Sequence, residues 1–290
     1  MKKSISLLQS AAVCTIVTVL LFGCNKIEST AALDTDQVIP CQVQSMVFPP
    51  LTFGEISGAR FKTVLQNNPE VAAAALAAVA AGSNDSVFFT YNALGNPVSI
   101  IHQTNFGDNL FFKYDHANRL TDFIAMYGGA AQGGDEWHKY TYDPHNTTRV
   151  IVDTTYIEFQ SDNNKITSYE FTQLTTFKYD TKNRISQTTK TVEGDTTVTA
   201  YNYDSHGNLE GSGLVYDSKI NVHRTNKLWM FLDKDYSINN QIDFGTYTYD
   251  QGNLPVKMAT NTLSRVAAFE FMVVGYPNSM STVTVSYSCE

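Results

Sequence analysis

The stretch Tyr201-Asn202-Tyr203-Asp204-Ser205-His206-Gly207-Asn208-Leu209 decides the fold, because variants of it recur along the chain. Aligned on the second aromatic residue, the clear copies stand at Tyr91, Tyr114, Tyr142, Tyr179, Tyr203 and Tyr249. The two widest gaps, before Tyr179 and before Tyr249, each hold a degenerate copy, around Phe159 and around Phe231. Eight copies then recur about every 23 residues, which suits two short strands and two turns.

Each copy has the residue pattern of a β-hairpin. Two aromatic residues flank a polar one, as in Tyr201-Asn202-Tyr203, so one face of the strand is aromatic and the other polar. An Asp follows in five copies, and its short carboxylate can accept backbone N–H groups and begin a turn. The position expected to need a positive φ is occupied by Gly95, Gly207, Gly252, Asn118 and Asn183. The return strand is expected to start at Leu120, Ile185, Leu209 and Leu254.

The N-terminus has the order of a cleaved export signal. Lys2 and Lys3 precede a mostly apolar stretch, which ends in Leu21-Phe22-Gly23-Cys24. This ending resembles the lipobox of bacterial lipoproteins, which implies that residues 1–23 are removed and that Cys24 is lipidated. In that family an Asp after the Cys signals inner-membrane retention, and Asn25 stands here. The resemblance therefore implies an outer-membrane lipoprotein, on the periplasmic or the cell-surface side, with residues 24–40 as a tether and 41–290 as one domain.

The mature chain is acidic. Loss of residues 1–23 leaves 18 basic against 28 acidic residues, a net charge of −10. An acidic surface repels phosphate backbones and anionic head groups. Nucleic acid is therefore excluded as a partner, and membrane attachment is expected through the lipid anchor.

Two cysteines remain in the folded part, Cys41 and Cys289, near its two ends. In an oxidising compartment this pair suggests a disulfide, and two buried free thiols are the alternative. If the strand beginning at Cys41 paired antiparallel with the strand ending at Cys289, the two sulfur atoms would face each other.

Outside the repeats the sequence predicts one helix and further strands. Asn68-Pro69-Glu70 supplies an N-cap, a proline at the first helical position and an early acid, and Gly82 follows the Ala-rich run. A helix over 69–81 without a polar side is expected to be buried. Alternating residues predict strands over 42–48, 266–274 and 281–288, and the Gly-rich stretch 127–137 predicts a loop that is available to a partner.

The repeat resembles a known family. The Y-D-x-x-G-N-L pattern is similar to the YD repeats of RHS-type bacterial surface proteins. Length, lipobox and spacing resemble bacterial lipoproteins of unknown function that are described as having a porin-like barrel. The resemblance covers residues 86–262 and implies a fold but no activity, since turn chemistry is what recurs. The copy at Tyr142 departs from it with Pro144 and no glycine, and the copy at Tyr249 looks one residue shorter.

These patterns predict an all-β fold, an antiparallel meander of repeated hairpins curled into a barrel or half-barrel with one Ala-rich N-terminal helix. About 14 to 18 strands in a row are too many for an open twisted sheet to stay flat. The aromatic face is expected to point inward, with the helix inside or against the sheet. A transmembrane barrel is the rival, but both faces of the predicted strands carry polar residues within a few positions, which disfavours a lipid-facing band.

The sequence shows no recognisable catalytic or cofactor frame. His116, His145 and His206 sit in hairpin turns, and no zinc spacing or calcium loop accompanies them. We therefore expect no metal site and no cofactor. Because no nucleophile elbow, H-E-x-x-H or P-loop motif occurs, a non-enzymatic protein is favoured.

Three functions remain open. The first is binding of a glycan or apolar ligand in an aromatic-lined barrel, and the residues proposed to contact it are Tyr91, Tyr114, Trp137, Tyr179, Tyr203 and Trp229. The second is a structural or adhesion module that meets a protein partner through its outer face and has a filled interior. The third is a hydrolase whose paired carboxylates converge only in space.

Overall fold

The computed structural model describes residues 38–48, 85–102, 109–126, 135–161, 165–243, 245–260 and 282–289. The export signal over 1–23, Cys24, the helix predicted over 69–81, most of the Gly-rich loop and the strand predicted over 266–274 lie outside these residues. None of the helices within them is long and apolar enough to cross a bilayer.

Fifteen strands and two short helical segments follow one another in the described residues. The first strands are β1 (Cys41–Phe48), β2 (Asp85–Tyr91), β3 (Pro97–His102), β4 (Asn109–Tyr114), β5 (Leu120–Met126), β6 (Glu136–Tyr142), β7 (Val150–Ser161) and β8 (Lys165–Tyr179). They are followed by β9 (Ile185–Val192), β10 (Asp195–Ala200), β11 (Tyr216–Ile220), a 3-10 helix (Val222–Thr225), α1 (Lys227–Asp233), β12 (Asn239–Gln241), β13 (Gly245–Tyr249), β14 (Pro255–Thr260) and β15 (Val283–Cys289).

Thirteen of these strands form one antiparallel sheet. Its order runs from β10 in descending sequence to β1, and then continues through β15 and β14 to β13, while β11 and β12 form a separate ribbon. Across the described residues the sheet curls without closing, and β10 and β13 are its two terminal strands. The predicted meander is thus confirmed in its open form, a half-barrel.

The first and last strands join the two ends of the chain. β1 pairs antiparallel with β15 in a register that sets Cys41 opposite Cys289. The two residues form a disulfide, with Cα atoms 4.0 Å apart. Both the strand pairing and the disulfide expected from the sequence are therefore confirmed.

The copy around Phe231 is not a hairpin, which corrects the sequence-based interpretation. Residues 227–233 form α1, and the side chain of Asn226 caps it by accepting the N–H of Leu228 at 2.9 Å. Lys234 ends the helix in the left-handed region, at φ 55°. The segment has no Tyr-Asp turn, and its apolar residues follow a helical spacing, with Leu228 and Leu232 one turn apart and both buried.

Helix α1 fills the concave side of the sheet. Trp229 is fully buried and its ring meets the rings of Phe89 and Phe112 at 5.8 and 6.0 Å. Phe231 meets Tyr140 and Phe177, each at 5.4 Å. The sheet therefore wraps around α1, and the aromatic face points inward as predicted. The Ala-rich segment, expected inside or against the sheet, lies outside the described residues, and within them α1 occupies the concave side.

Every hairpin that joins two paired strands at a motif tyrosine has a bulge at that tyrosine. The register shifts at Tyr91, Tyr114, Tyr142, Tyr179 and Tyr249, where the return strand carries one extra residue. In the opening phrase Tyr203 makes an isolated bridge with Leu209. A bulge bends its strand and increases the local twist. Five bulges at the same end of the sheet, next to the motif turns, therefore favour a curled sheet.

The turn after Tyr249 has the same length as those after Tyr91, Tyr114, Tyr179 and Tyr203, contrary to the sequence-based alignment, while the turn after Tyr142 is two residues longer. Asp250 accepts the N–H of Leu254, as Asp115 accepts that of Arg119, and the residue in the left-handed region is Asn253 at φ 66°. Gly252, expected at that position, lies one residue earlier. The left-handed residues of the other tight turns are those expected: Gly95, Asn118, Asn183 and Gly207.

Candidate functional site

The motif tyrosines cross-link successive hairpins. Tyr114 donates its hydroxyl hydrogen to the carbonyl of Pro97 at 2.7 Å, and Pro97 is the residue that pairs with Tyr91 in the preceding hairpin. The other tyrosines repeat this contact: Tyr91 to Val43, Tyr142 to Leu120, Tyr179 to Val150, Tyr203 to Ile185 and Tyr287 to Pro255. Five of these distances lie between 2.7 and 2.9 Å, and that of Tyr203 is 3.5 Å. We call this set the tyrosine ladder.

Burial keeps the ladder protonated. It raises the pKa of Tyr142 to about 12, and it raises the pKa of Tyr114, Tyr179 and Tyr203 further above the usual value. A protonated phenol is a donor, and here the donated hydrogen is directed at a backbone carbonyl. Four proposed ligand contacts, Tyr91, Tyr114, Tyr179 and Tyr203, thus use their hydroxyls to hold the sheet together.

The two tryptophans lie on opposite faces of the sheet. Trp229 belongs to the core on the concave side. In β6, His138 and Tyr140 point to that side, and strand alternation places Trp137 on the outer face with Lys139. The structure therefore does not bring the six proposed ligand contacts together in one open pocket.

The outer face presents an aromatic group at β6, β7 and β8. Cross-strand pairs place Trp137 beside Tyr156, with ring centroids 5.7 Å apart, and Tyr156 beside Phe171, at 6.3 Å. Phe171 is 57% exposed, and Trp137 and Tyr156 are half-buried. Lys139 lies over the Trp137 ring at 4.3 Å. We call Trp137, Tyr156 and Phe171 the convex patch.

Strand alternation alone could not locate this patch. The bulge between Thr155 and Tyr156 shifts the facing of β8, so that Phe171 points outward although Thr175 and Phe177, four and six residues later, are buried. The indole N–H of Trp137 donates to Asp122 at 2.8 Å, which orients its ring. Tyr156 and Phe171 were absent from the candidates proposed from the sequence.

Two histidines, the half-buried His138 and the buried His223, hold converging carboxylates, and neither was singled out in the sequence. His138 Nδ1 lies 3.0 Å from Asp153, and its Nε2 lies 3.5 Å from Glu136. Burial lowers the pKa of His138, but the hydrogen bonds and charges of these two carboxylates outweigh it and raise that pKa to about 9. In the other group, His223 Nε2 lies 2.5 Å from the buried carboxylate of Asp233.

The turn histidines are dispersed. His116, His145 and His206 are exposed in three separate turns, and the His206 side chain is 80% exposed. Within the described ranges, no group of three or more His, Cys, Asp and Glu residues is arranged to hold a metal ion.

No family model matches the chain, and no curated protein sequence matches it. Among solved structures it is similar to a porin-like protein from Bacteroides uniformis, at 12% identity and a TM-score of 0.31, over 71% of this chain and 90% of that one. It is also similar to TcdB2-TccC3, at 13% identity and a TM-score of 0.20, over 71% of this chain and 11% of that one. These scores leave family and function undefined.

Proposed function

We propose that this protein is a non-enzymatic lipoprotein of the bacterial outer membrane that binds a protein partner through the convex patch. The observation that supports it most is the exposure of Phe171 at 57% beside two further aromatic rings on the outer face. Exposed aromatic groups of this kind are typical of binding surfaces. Lys139 and Asp122 beside Trp137 supply polar contacts of both signs.

The packing of the concave side favours this outer-face function over ligand binding in a lumen. Trp229 and Phe231 occupy the space between β2, β4, β6 and β8, and the ladder hydroxyls are bonded to carbonyls. A glycan held inside the curl would have to displace this packing. Carboxylates converge on His138 and His223. His223 and the Asp233 carboxylate are buried, and His138 is half-buried beside the buried Asp153, as structural ion pairs would be and an open hydrolytic cleft would not.

The proposed anchor fits the position of the patch. Tyr91 bonds to Val43, so Cys41 lies at the same end of the sheet as the motif turns. The chain would reach that end from a lipid on Cys24. Phe171 precedes Tyr179 by eight residues in β8, about 27 Å at the usual strand rise of about 3.4 Å. The convex patch therefore lies away from the end at which the tether enters.

Site-specific photo-crosslinking in the living bacterium tests the patch. A photoreactive phenylalanine analogue replaces Phe171 in one variant and Val215, a 51% exposed residue elsewhere, in the matched control. We expect a discrete crosslinked protein from position 171 that is absent from position 215 and is lost when Tyr156→Ser is added. Crosslinking to polysaccharide would instead indicate a glycan partner. Equal products at both positions, or no product at 171, would refute the proposal.

The anchor is tested separately by Cys24→Ser. Wild-type protein is expected to incorporate labelled palmitate and to sediment with outer membranes. The variant should lose both properties. Membrane attachment that survives Cys24→Ser would contradict lipidation at this residue.

A further inference from the structure

Strand β10 is a terminal strand of the large sheet and is exposed along its whole length. It pairs with β9 on one side, and all six of its residues, from Asp195 to Ala200, are exposed. Thr196, Thr197, Val198 and Thr199 are β-branched, which favours extended structure. Proteins commonly protect such edges with lysine, proline or a bulge, and β10 contains none of these.

The hairpin geometry determines which backbone groups of β10 face away from β9. Glu193 and Gly194 have φ of 50° and 94°, the two positive values of a two-residue type I′ turn. Val192 and Asp195 are therefore the hydrogen-bonded pair that closes it, and bonded pairs alternate from there. The N–H of Tyr201 bonds to Ser186 at 2.9 Å, as this alternation requires.

It follows that Thr196, Val198 and Ala200 direct their N–H and C=O groups to the open side of β10. The other terminal strand is different. On β13, Tyr247 donates to the carbonyl of Gln241 at 2.8 Å, and the hydroxyl of Tyr249 bonds to Asp217, so β13 is tied to the β11–β12 ribbon. Within the part of the chain that the structure describes, the open pairing edge is thus at β10.

We propose that β10 pairs antiparallel with β10 of a second copy of this chain, with Val198 on the two-fold axis. In this register Thr196 of each copy faces Ala200 of the other, and the three outward-facing residues of each strand exchange six backbone hydrogen bonds. The Val198 side chains, 58% exposed in the single chain, become direct neighbours.

The charges near β10 favour a second copy over an arbitrary strand. In this register Asp195 faces Tyr201 of the other copy, so no like charges lie opposite each other within β10. The open edge ends just beyond Ala200, where the N–H of Glu210 bonds to the carbonyl of Asn202. The two Asp195 residues stand six residues apart along the paired strands, about 20 Å. That separation exceeds the Debye length of about 8 Å at physiological salt, so their repulsion is screened. The open residues of β10 are therefore self-complementary in hydrogen bonding.

The test compares oligomeric state and crosslinking in the full chain, purified in detergent from the envelope of a bacterial host. Wild-type protein should sediment as a dimer that dissociates on dilution. Val198→Lys should sediment as a monomer at every concentration tested, since two cations would meet on the axis. Val215→Lys is the matched control and should remain a dimer. Circular dichroism and the melting temperature verify that both variants are folded.

A second variant tests the register directly. In Val198→Cys the two Cα atoms would lie about 5.5 Å apart, within disulfide range. Oxidation should give a covalent dimer, and Val215→Cys should not. The inference is overturned if wild-type protein is monomeric, if Val198→Lys stays dimeric, or if Val198→Cys forms no more dimer than Val215→Cys. A Val198→Cys variant that forms a disulfide adduct with another protein only would assign the edge to a foreign strand and would also overturn self-pairing.

Discussion

At the scale of single residues, the hydroxyl of the repeat tyrosine forms a hydrogen bond with the preceding hairpin and not with its own. Its ring lies on the aromatic face, and its hydroxyl bonds to a carbonyl next to the previous bulge, as Tyr114 does with Pro97. A bulge leaves backbone groups without a regular ladder partner, and a buried carbonyl without a donor is costly. The tyrosine supplies that donor.

Tyr114→Phe removes one such donor and keeps the ring. We expect a loss of about 1 kcal/mol in the free energy of unfolding, measured by urea denaturation. Tyr203→Phe is the matched comparison and should cost less, because both contacts of the Tyr203 hydroxyl are long, 3.5 Å to the carbonyl of Ile185 and 3.4 Å to that of Lys234. Equal costs at the two positions would contradict the role of the hydroxyl.

His138 makes stability depend on pH. Its pKa is about 9 in the folded protein against 6.5 ordinarily, so the folded state holds the proton more tightly. The stabilisation is complete below pH 6.5 and is lost as the pH rises to 9. The raised pKa values of the buried tyrosines act only above pH 10, outside this window. We expect the free energy of unfolding to fall by about 3 kcal/mol between pH 6.5 and 9.

Urea denaturation at several pH values measures this slope. His138→Gln should remove most of it, while His206→Gln, at an exposed turn, should leave it unchanged. A slope that persists in His138→Gln would assign the effect to other groups. Because Glu136, Asp153 and Tyr140 surround this histidine, the variant is compared with wild type near pH 10, above the pKa of His138, where both are expected to lack the imidazolium.

At the scale of elements, features determined by neighbouring residues could be predicted from the sequence, and features determined by contacts between distant strands could not. The turns were predictable because every determinant lies within five residues of the tyrosine, from the Asp carboxylate to the left-handed Gly or Asn. The side of the sheet on which Phe171 lies was not predictable, because it depends on a bulge opposite Tyr156. Helix α1 was missed because the repeat spacing suggested another hairpin, while its apolar residues are selected by contact with distant strands.

Trp229→Ala tests how far the sheet depends on α1. The side chain is fully buried between Phe89 and Phe112, so a cavity would remain, and a loss of about 3 to 5 kcal/mol is expected from urea denaturation. Trp137→Ala, on the outer face, should cost far less. If both substitutions cost the same, α1 is not the centre of the core.

At the scale of the whole molecule, one covalent bond joins the first and last strands, β1 and β15, which are neighbours within the open curl. The disulfide between Cys41 and Cys289 connects residues 248 positions apart. Closing so long a loop restricts the unfolded chain, and such restriction is worth up to about 5 kcal/mol. The same bond fixes β15 beside β1, and thereby holds β13 and β14 to a sheet in which β2 to β10 follow one another in chain order.

The double variant Cys41→Ser, Cys289→Ser is expected to lose about 3 to 5 kcal/mol in the free energy of unfolding. Wild-type protein treated with a reductant should lose the same amount, while the reductant should leave the double variant unchanged. Hydrogen exchange should report faster opening at β13, β14 and β15 than at β7 and β8, because only the former depend on the β1–β15 junction. Uniform acceleration over all strands would show instead that the curl unfolds as one cooperative unit.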